Sequence, residues 1–342
     1  MSAPVAVRVR AVVVSRAAGL VASSLLLVVV VFLSLALGSR QIDLGSVINA
    51  ILDPVSGNND HMVVRDLRVP RTILGIVAGA ALALGGTLMQ GLTRNPLADP
   101  GLLGVNAGAS LLVVVGITFF GVSTASGQVW FAFVGAAAAT VLVYLVGSGR
   151  GGASPVSLTL AGTAVTAAVT SVITLLLLAN LDTLNQFRFW SVGSLVGRDL
   201  EALGSILPFL LPGMLLALLL GRTLNVLALG TDVARGLGLH IGLARVLVST
   251  AIVLLCGGAT ALVGPIVFVG LVVPHIARRI VGSDYRWILA YSTVIGAAML
   301  VAADIVGRLV VPPGELEAGL VIAFIGAPVM IALVRSRRGG TL

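Results

Sequence analysis

Residues 68–108 read RVPRTILGIVAGAALALGGTLMQGLTRNPLADPGLLGVNAG. Between Arg71 and Arg94 lie 22 residues without Asp, Glu or Arg. About 20 apolar residues suffice to cross the hydrocarbon layer as a helix. The run Asn95-Pro96-Leu97-Ala98-Asp99-Pro100-Gly101 then holds two prolines and a glycine, which no helix carries through intact. Apolar sequence resumes at once. A spanning helix, a breaker and a second apolar run is the pattern of a polytopic membrane protein.

Working outward, windows free of Asp, Glu and Arg cover 17–39, 72–93, 101–149, 151–181, 202–221, 246–277, 287–303 and 318–334. Two are too long for one crossing. The 101–149 window breaks at the polar run Ser123 to Gln128, and the 246–277 window at Gly264-Pro265. Eight windows with two doubled predict an all-α chain of ten transmembrane helices in one domain, residues 1–342. The segment after Pro265 is the shortest and reads as a short or broken helix. The first span follows Arg8, Arg10 and Arg16, as a signal peptide would. Its apolar run exceeds the about 7–15 residues of a signal h-region, so it reads as a retained helix.

Composition agrees. Hydrophobic residues make up 58% of the chain, charged residues 10%, and the mean hydropathy is +1.13. A soluble domain carries about 25% charge, so this chain lacks the polar groups to cover its surface in water. One cysteine, Cys256, excludes a disulfide scaffold. The 21 basic residues are all arginine. Without lysine there is no P-loop, no Schiff-base enzyme and no kinase site. The net charge of +8 reads as membrane orientation rather than nucleic-acid binding.

Ten spans put both termini on one side. With the N-terminus inside, 14 arginines and three acids (Asp99, Asp232, Asp284) face the cytoplasm, against seven arginines and ten acids outside. The positive-inside rule therefore places both termini in the cytoplasm of a cytoplasmic (inner) membrane.

Small residues recur four apart, as Gly75 with Gly79 and Gly104 with Gly108. In lipid such spacing lets helix backbones approach closely. Breakers concentrate in two places, Asn95 to Gly101 and Gly264-Pro265 with Pro274 beyond. Each follows a double glycine, Gly85-Gly86 and Gly257-Gly258. Interrupted segments at matching places in two halves point to a transporter built from repeats.

Chemistry is sparse. His61, His240 and His275 have no metal-ligand spacing, and His275 reads as an interfacial histidine. Asp304 and Arg308, at i and i+4, are placed to pair with each other. Residues 42–52 have the spacing of an interfacial helix, and Phe187, Phe189 and Trp190 that of an aromatic belt. The largest inner loop runs from Arg222 to Arg245. Thr231 or Asp232 is placed to cap a short helix there, and Gly236 or Gly238 to end it. Such a helix docks a cytoplasmic partner or merely connects two spans.

The quoted stretch resembles the FecCD family of ABC-importer permeases, which carry iron-siderophores, haem and cobalamin. The resemblance rests on Arg68-x-Pro70-Arg71, on Gly85-Gly86 with Met89-Gln90, and on NPLADPGLLG from Asn95. Three further segments are similar to family elements: FWSVGSL (189–195), GPIVFVGLVVPHIAR (264–278, with Pro274 and His275) and IAFIGAPVMIALV (322–334). The resemblance implies that spans 2–5 and 7–10 are inverted repeats. It implies a second permease subunit, two cytoplasmic ATPase subunits that hold ATP and magnesium, and an extracytoplasmic substrate-binding protein. No cofactor or metal is implied for this chain. LALGTDVARGLG (227–238) is similar to the family's coupling pattern, with Thr231 where an acid is usual. It assigns ATPase coupling to Leu229, Gly230, Asp232, Ala234, Arg235, Leu237 and Gly238, with Arg245 closing the loop. Arg68, Arg71 and Arg308 match arginines that receive acidic residues of the binding protein; their plainer reading is as anchors of helix ends. The family gate lies near Ser154-Pro155-Val156, where no gate residue carries over. A secondary transporter, a related metal-importer permease and a membrane scaffold remain as alternatives.

Overall fold

A computed structural model of the chain describes residues 5–38, 41–55, 57–149, 152–153, 155–311 and 314–338. Arg40, Arg150 and Ser154 lie outside them. The first half opens with α1 (Val5–Ala36), the short α2 (Leu44–Leu52) and α3 (Asn59–Met62). A π-helical turn, Val63–Arg68, joins α3 to α4 (Val69–Thr93). There follow α5 (Val105–Phe120), α6 (Ala125–Gly147), α7 (Pro155–Ala179), α8 (Leu181–Ser191) and α9 (Leu200–Leu219). The loop helices are α10 (Gly221–Ala228) and α11 (Thr231–Gly236). The second half holds α12 (Ile241–Ile252), α13 (Gly258–Val263), α14 (Val269–Val281), α15 (Tyr285–Val310) and α16 (Ala318–Arg338). A two-residue hairpin pairs Ser148–Gly149 with Gly152–Ala153.

Among the described residues, seven helices are long and apolar enough to cross a membrane, with Val105–Phe120 and Ala318–Ala332 as shorter apolar helices. The protein is an all-helical, multi-pass membrane protein. The segment after Pro265 forms α14, 13 residues long. Residues 123–128 contain the expected break: α5 ends on Gly121 in the left-handed region, and Thr124 caps α6 through the Gly127 N–H.

The breakers act locally. Arg94 takes φ 53°, left-handed for a residue with a side chain, and stops α4. Asn95 Oδ1 accepts from Leu97 N, and Asp99 Oδ1 from Gly101 N at 2.7 Å. Both are side-chain turns that supply hydrogen bonds the helix no longer makes. Pro100 opens a 3-10 turn that ends at Gly104, φ 74°. In the second half, Gly264 (φ 77°) and Phe268 (φ 68°) bracket the break between α13 and α14.

The core runs along α4. Its buried face includes Leu74, Ala78, Ala81, Leu84, Leu88 and Met89. The double glycines sit at close crossings. A Cβ on Gly85 would overlap Cys256 Sγ, and one on Gly86 would overlap the backbone of Gly270. Gly79 meets the carbonyl of Gly296 on α15 in the same way. Glycine lets α14 and α15 approach α4 to backbone distance, the contact that packing in lipid favours.

Several polar residues at helix starts act as caps. Asp43, Asn58, Asn180, Asp199 and Asp284 each accept from a first-turn N–H of α2, α3, α8, α9 or α15. The aromatic belt is corrected in part: Phe187 and Trp190 are buried and stacked on each other, 5.8 Å between centroids, because α8 packs inward. Only Phe189 of the three is exposed.

Candidate functional site

The two ends of α4 organise two polar sites, about 37 Å apart at 1.5 Å per residue. At its N-terminal end the structure brings Arg68, Arg71 and Arg308 together. They do not form an outward-facing cluster. Arg68 is 5% exposed and Arg308 3%. Arg68 Nη1 donates to the carbonyls of Leu35 and Ala36, both at 2.7 Å. Arg308 Nη1 donates to Ser34 O (2.9 Å) and Leu37 O (3.0 Å), and Nη2 to Ser34 Oγ (2.7 Å). These are the carbonyls that the end of α1 leaves without helical donors. Helix α1 has no basic residue in its own last turn, so arginines from α4 and α15 complete it and meet the negative end of its dipole.

Arg71 bridges two acids, Asp304 (Nε–Oδ1 2.8 Å) and Glu315 (Nη1–Oε2 2.6 Å). Asp304 also pairs with Arg308 at 3.1 Å, the expected i, i+4 contact. Arg68 and Arg308, expected to receive acidic residues of a binding protein, take acceptors from the end of α1 in this chain, as desolvated guanidinium groups require. Arg71, the least buried, is held by two carboxylates.

The opposite end gathers the loop residues. Helix α11 covers Thr231–Gly236, as the capping residues led one to expect, but neither Thr231 nor Asp232 caps it. Gly230 is the N-cap, with φ 106° and ψ 152° and no side-chain bond. The chain enters the helix in a conformation that glycine alone adopts readily. Gly238, at φ 82°, turns the chain away after Leu237. Ala234 is buried, and its N–H donates to Gly230 O. Leu229, Val233 and Leu237 are 61%, 51% and 64% exposed. Four residues apart, they form an apolar stripe with the exposed Asp232–Arg235 pair (3.5 Å) beside it. Val233 was not singled out in the sequence, though its spacing from Leu229 and Leu237 was readable. Arg245 is half-buried on α12.

This stripe is tied to the bundle through α10. Asn225 donates to Asp284 Oδ1 (2.7 Å) and accepts from Tyr285 N (2.8 Å) at the start of α15. Asp284 also binds Arg286 at 2.8 Å, which holds its carboxyl well below the usual carboxylate range. Next to it, Arg278 on α14 donates to Gln90 Oε1 at 3.3 Å, and its guanidinium lies over the Tyr285 ring. Gln90 Nε2 donates to the carbonyls of Gly270 (3.4 Å) and Leu271 (3.3 Å). Pro274 lies inside α14 and has no N–H for Gly270 O, so a side chain from α4 takes that carbonyl. His275 follows it, half-buried on α14. Asn95, Pro96, Asp99, Pro100 and Gly101 sit at the same end, immediately beyond α4. Burial raises the Asp99 carboxyl above its ordinary range, against its bond from Gly101 N.

This end of the bundle joins polar side chains to an exposed apolar helix, and no group of three or more His, Cys, Asp or Glu among the described residues is placed to hold a metal. The model of the FecCD transport family matches residues 26–336. The chain belongs to that family. It is 48% identical over 332 residues to the ferric enterobactin transport system permease protein FepD of Escherichia coli, covering 96% of this chain and 98% of that one. It is 36% identical to the hemin transport system permease protein HmuU of Yersinia pestis, over 83% of this chain and 86% of that one. Among solved structures, an inward-facing putative metal-chelate type ABC transporter superposes with a TM-score of 0.80 at 27% identity, covering 92% of this chain and 98% of that chain. FecCD membership accounts for the long NPLADPGLLG and PHIAR segments; here the first builds the break after α4 and the second lies within α14.

Proposed function

We propose that this chain is the membrane-spanning permease subunit of an ATP-driven importer for ferric chelates of the siderophore class. The observation that carries this reading is the 48% identity to the ferric enterobactin permease across 96% of the chain. The exposed stripe of α11 supports it, since a permease without a nucleotide site of its own needs a face on which an ATPase acts. In this reading Leu229, Val233 and Leu237 seat in the ATPase subunit. Asp232 and Arg235 flank the seat, and the Gly230 and Gly238 turns set its angle. Asn225, Asp284 and Arg278 carry its movement to α4, α14 and α15.

The assembly comprises this chain, a second permease, two ATPases that hold ATP and magnesium, and an extracytoplasmic binding protein. Counting Val105–Phe120, Val269–Val281 and the last helix as crossings gives ten spans. Both termini then face the cytoplasm with α11, and spans 2–5 and 7–10 form the inverted repeats. Arg68, Arg71 and Arg308 fasten the outer ends of spans 1, 2 and 9.

The test is uptake of iron-55 as its enterobactin complex in cells lacking their own permease and supplied with this chain and its ATPase. Uptake that stops on Ala234→Pro, with the protein still in the membrane, is the expected result. Uptake that persists without any ATPase overturns the reading in favour of a secondary transporter.

A further inference from the structure

At the end of the bundle that holds the arginine network lies a cavity of ≈ 360 Å³. Its wall is built from the start of α6, the end of α8, the turn before α9 and Glu317. Two of its residues carry unmet donors. Trp190 is 2% exposed, and its Nε1–H has no acceptor. The Nε–H of Arg198 is likewise buried without one. The nearest acid to Arg198 in sequence, Asp199, is engaged elsewhere: its Oδ1 caps α9 through Ala202 N at 2.7 Å, and its Oδ2 accepts from Ser126 Oγ. Buried N–H groups without acceptors are costly and uncommon in native structures. Nothing in the packing of Trp190, which stacks on Phe187, requires a polar edge at that position.

The remaining wall says what would meet those donors. The side chains of Gln128 and Gln186 line it, each with an amide that donates and accepts. Phe189 presents a ring, and Arg188 lies over that ring at 4.7 Å. Arg198 stands in the wall and Arg188 lies over the Phe189 ring, with two carboxylates nearby, Glu317 in the wall and Asp199 beside Arg198. Both unmet atoms are donors, so the ligand must bring acceptors. Arginine holds carboxylate or phenolate oxygens through charge-assisted bonds. We propose that this cavity is a binding site for the anionic, oxygen-rich part of a small-molecule metal chelate, held by Trp190, Arg198, Gln128 and Gln186. The inference rests on the transport reading for its ligand class and assigns it a site.

The test uses the full-length chain in lipid nanodiscs and two probes of similar size, gallium(III) tris-catecholate, which is anionic, and gallium(III) tris-acetohydroxamate, which is neutral. Calorimetric titration should show tighter binding of the anion. Arg198→Gln should weaken it about tenfold, the worth of one charge-assisted bond. Arg65→Gln, an exposed arginine at the same end outside the cavity wall, should not. With Trp130→Phe and Trp287→Phe in place, Trp190 emission should shift on adding the anion. Equal affinity for both probes, or equal effects of Arg198→Gln and Arg65→Gln, overturns the site. Anion binding with no ATP-driven iron uptake overturns the transport reading alone. Uptake at the wild-type rate in Arg198→Gln, with unchanged titrations, overturns the cavity and leaves transport standing.

Discussion

The side-chain amide of Gln90 on α4 donates to the carbonyl of Gly270 on α14, 3.4 Å away. That carbonyl is the one Pro274 cannot serve from within α14. Gln90→Ala is therefore expected to cost about 1–3 kcal/mol, the penalty for a buried acceptor left unmet. In a Pro274→Ala background the helix regains its own donor, and Gln90→Ala should cost less. A double-mutant cycle of detergent melting curves measures the coupling, expected above about 0.5 kcal/mol. Strictly additive effects would sink this account.

Arg308→Ala should destabilise the chain by about 3–5 kcal/mol, because it leaves Asp304 with a buried negative charge short of one partner. It also strands the carbonyls of Ser34 and Leu37. Arg308→Lys should rescue little, since an ammonium cannot reach both groups with a planar fork. Thermal unfolding of the purified permease checks this. A variant of normal stability that only loses partner binding would restore the docking reading.

Gly86→Val should prevent compact folding, since its Cβ would collide with the Gly270 backbone. Gly204→Ala in α9 meets nothing within 4 Å and should gain up to about 1 kcal/mol from helix propensity. Size-exclusion profiles and melting points compare the two. Equal tolerance would mean that α4 and α14 do not touch as described.

Asp99 gives a pH prediction. Its folded-state carboxyl is raised above the unfolded value of about 3.9. The native state then binds the proton more tightly, so stability falls as pH rises from about 4 through the raised value. Asp99→Asn keeps an oxygen for Gly101 N and should flatten that fall. Asp99→Ala should flatten it too, but lose about 1 kcal/mol of capping at every pH. Melting points between pH 4 and 8 separate the three; a parallel pH slope in wild type and Asp99→Asn would refute the burial argument.

How much of this was readable in the sequence depends on whether the cause is local. The breaks at Asn95–Gly101 and Gly264–Pro265 were, because proline and glycine act on their own backbone. So were the double glycines, although not their partners Cys256 and Gly270. The orientation of Arg68 and Arg308 was not. Their acceptors lie more than 30 residues away in α1, and no periodicity marks a carbonyl. One signal existed: α1 ends at Ser34-Leu35-Ala36 without a cation in its last turn. The Gly230 cap of α11 was hidden for a related reason, since Thr231 and Asp232 look like better caps by residue type. At the cavity, the aromatic residues looked like a membrane belt, and only packing shows that Trp190 turns inward.

Helix α1 is fastened at two points by α15. Arg308 holds its last carbonyls, and the Tyr291 hydroxyl donates to Arg16 O at 2.6 Å. These partners lie 274 and 275 residues apart in the chain. A ribosome adding about 5–20 residues per second reaches them about 14–55 s after α1 has emerged. Throughout that interval Arg68 is there to serve Leu35 and Ala36, but the carbonyls of Ser34 and Leu37 await Arg308. An arginine made late thus closes the first-made helix, and a nascent chain stopped short of Arg308 carries an open end by which an unfinished copy is distinguishable from a finished one.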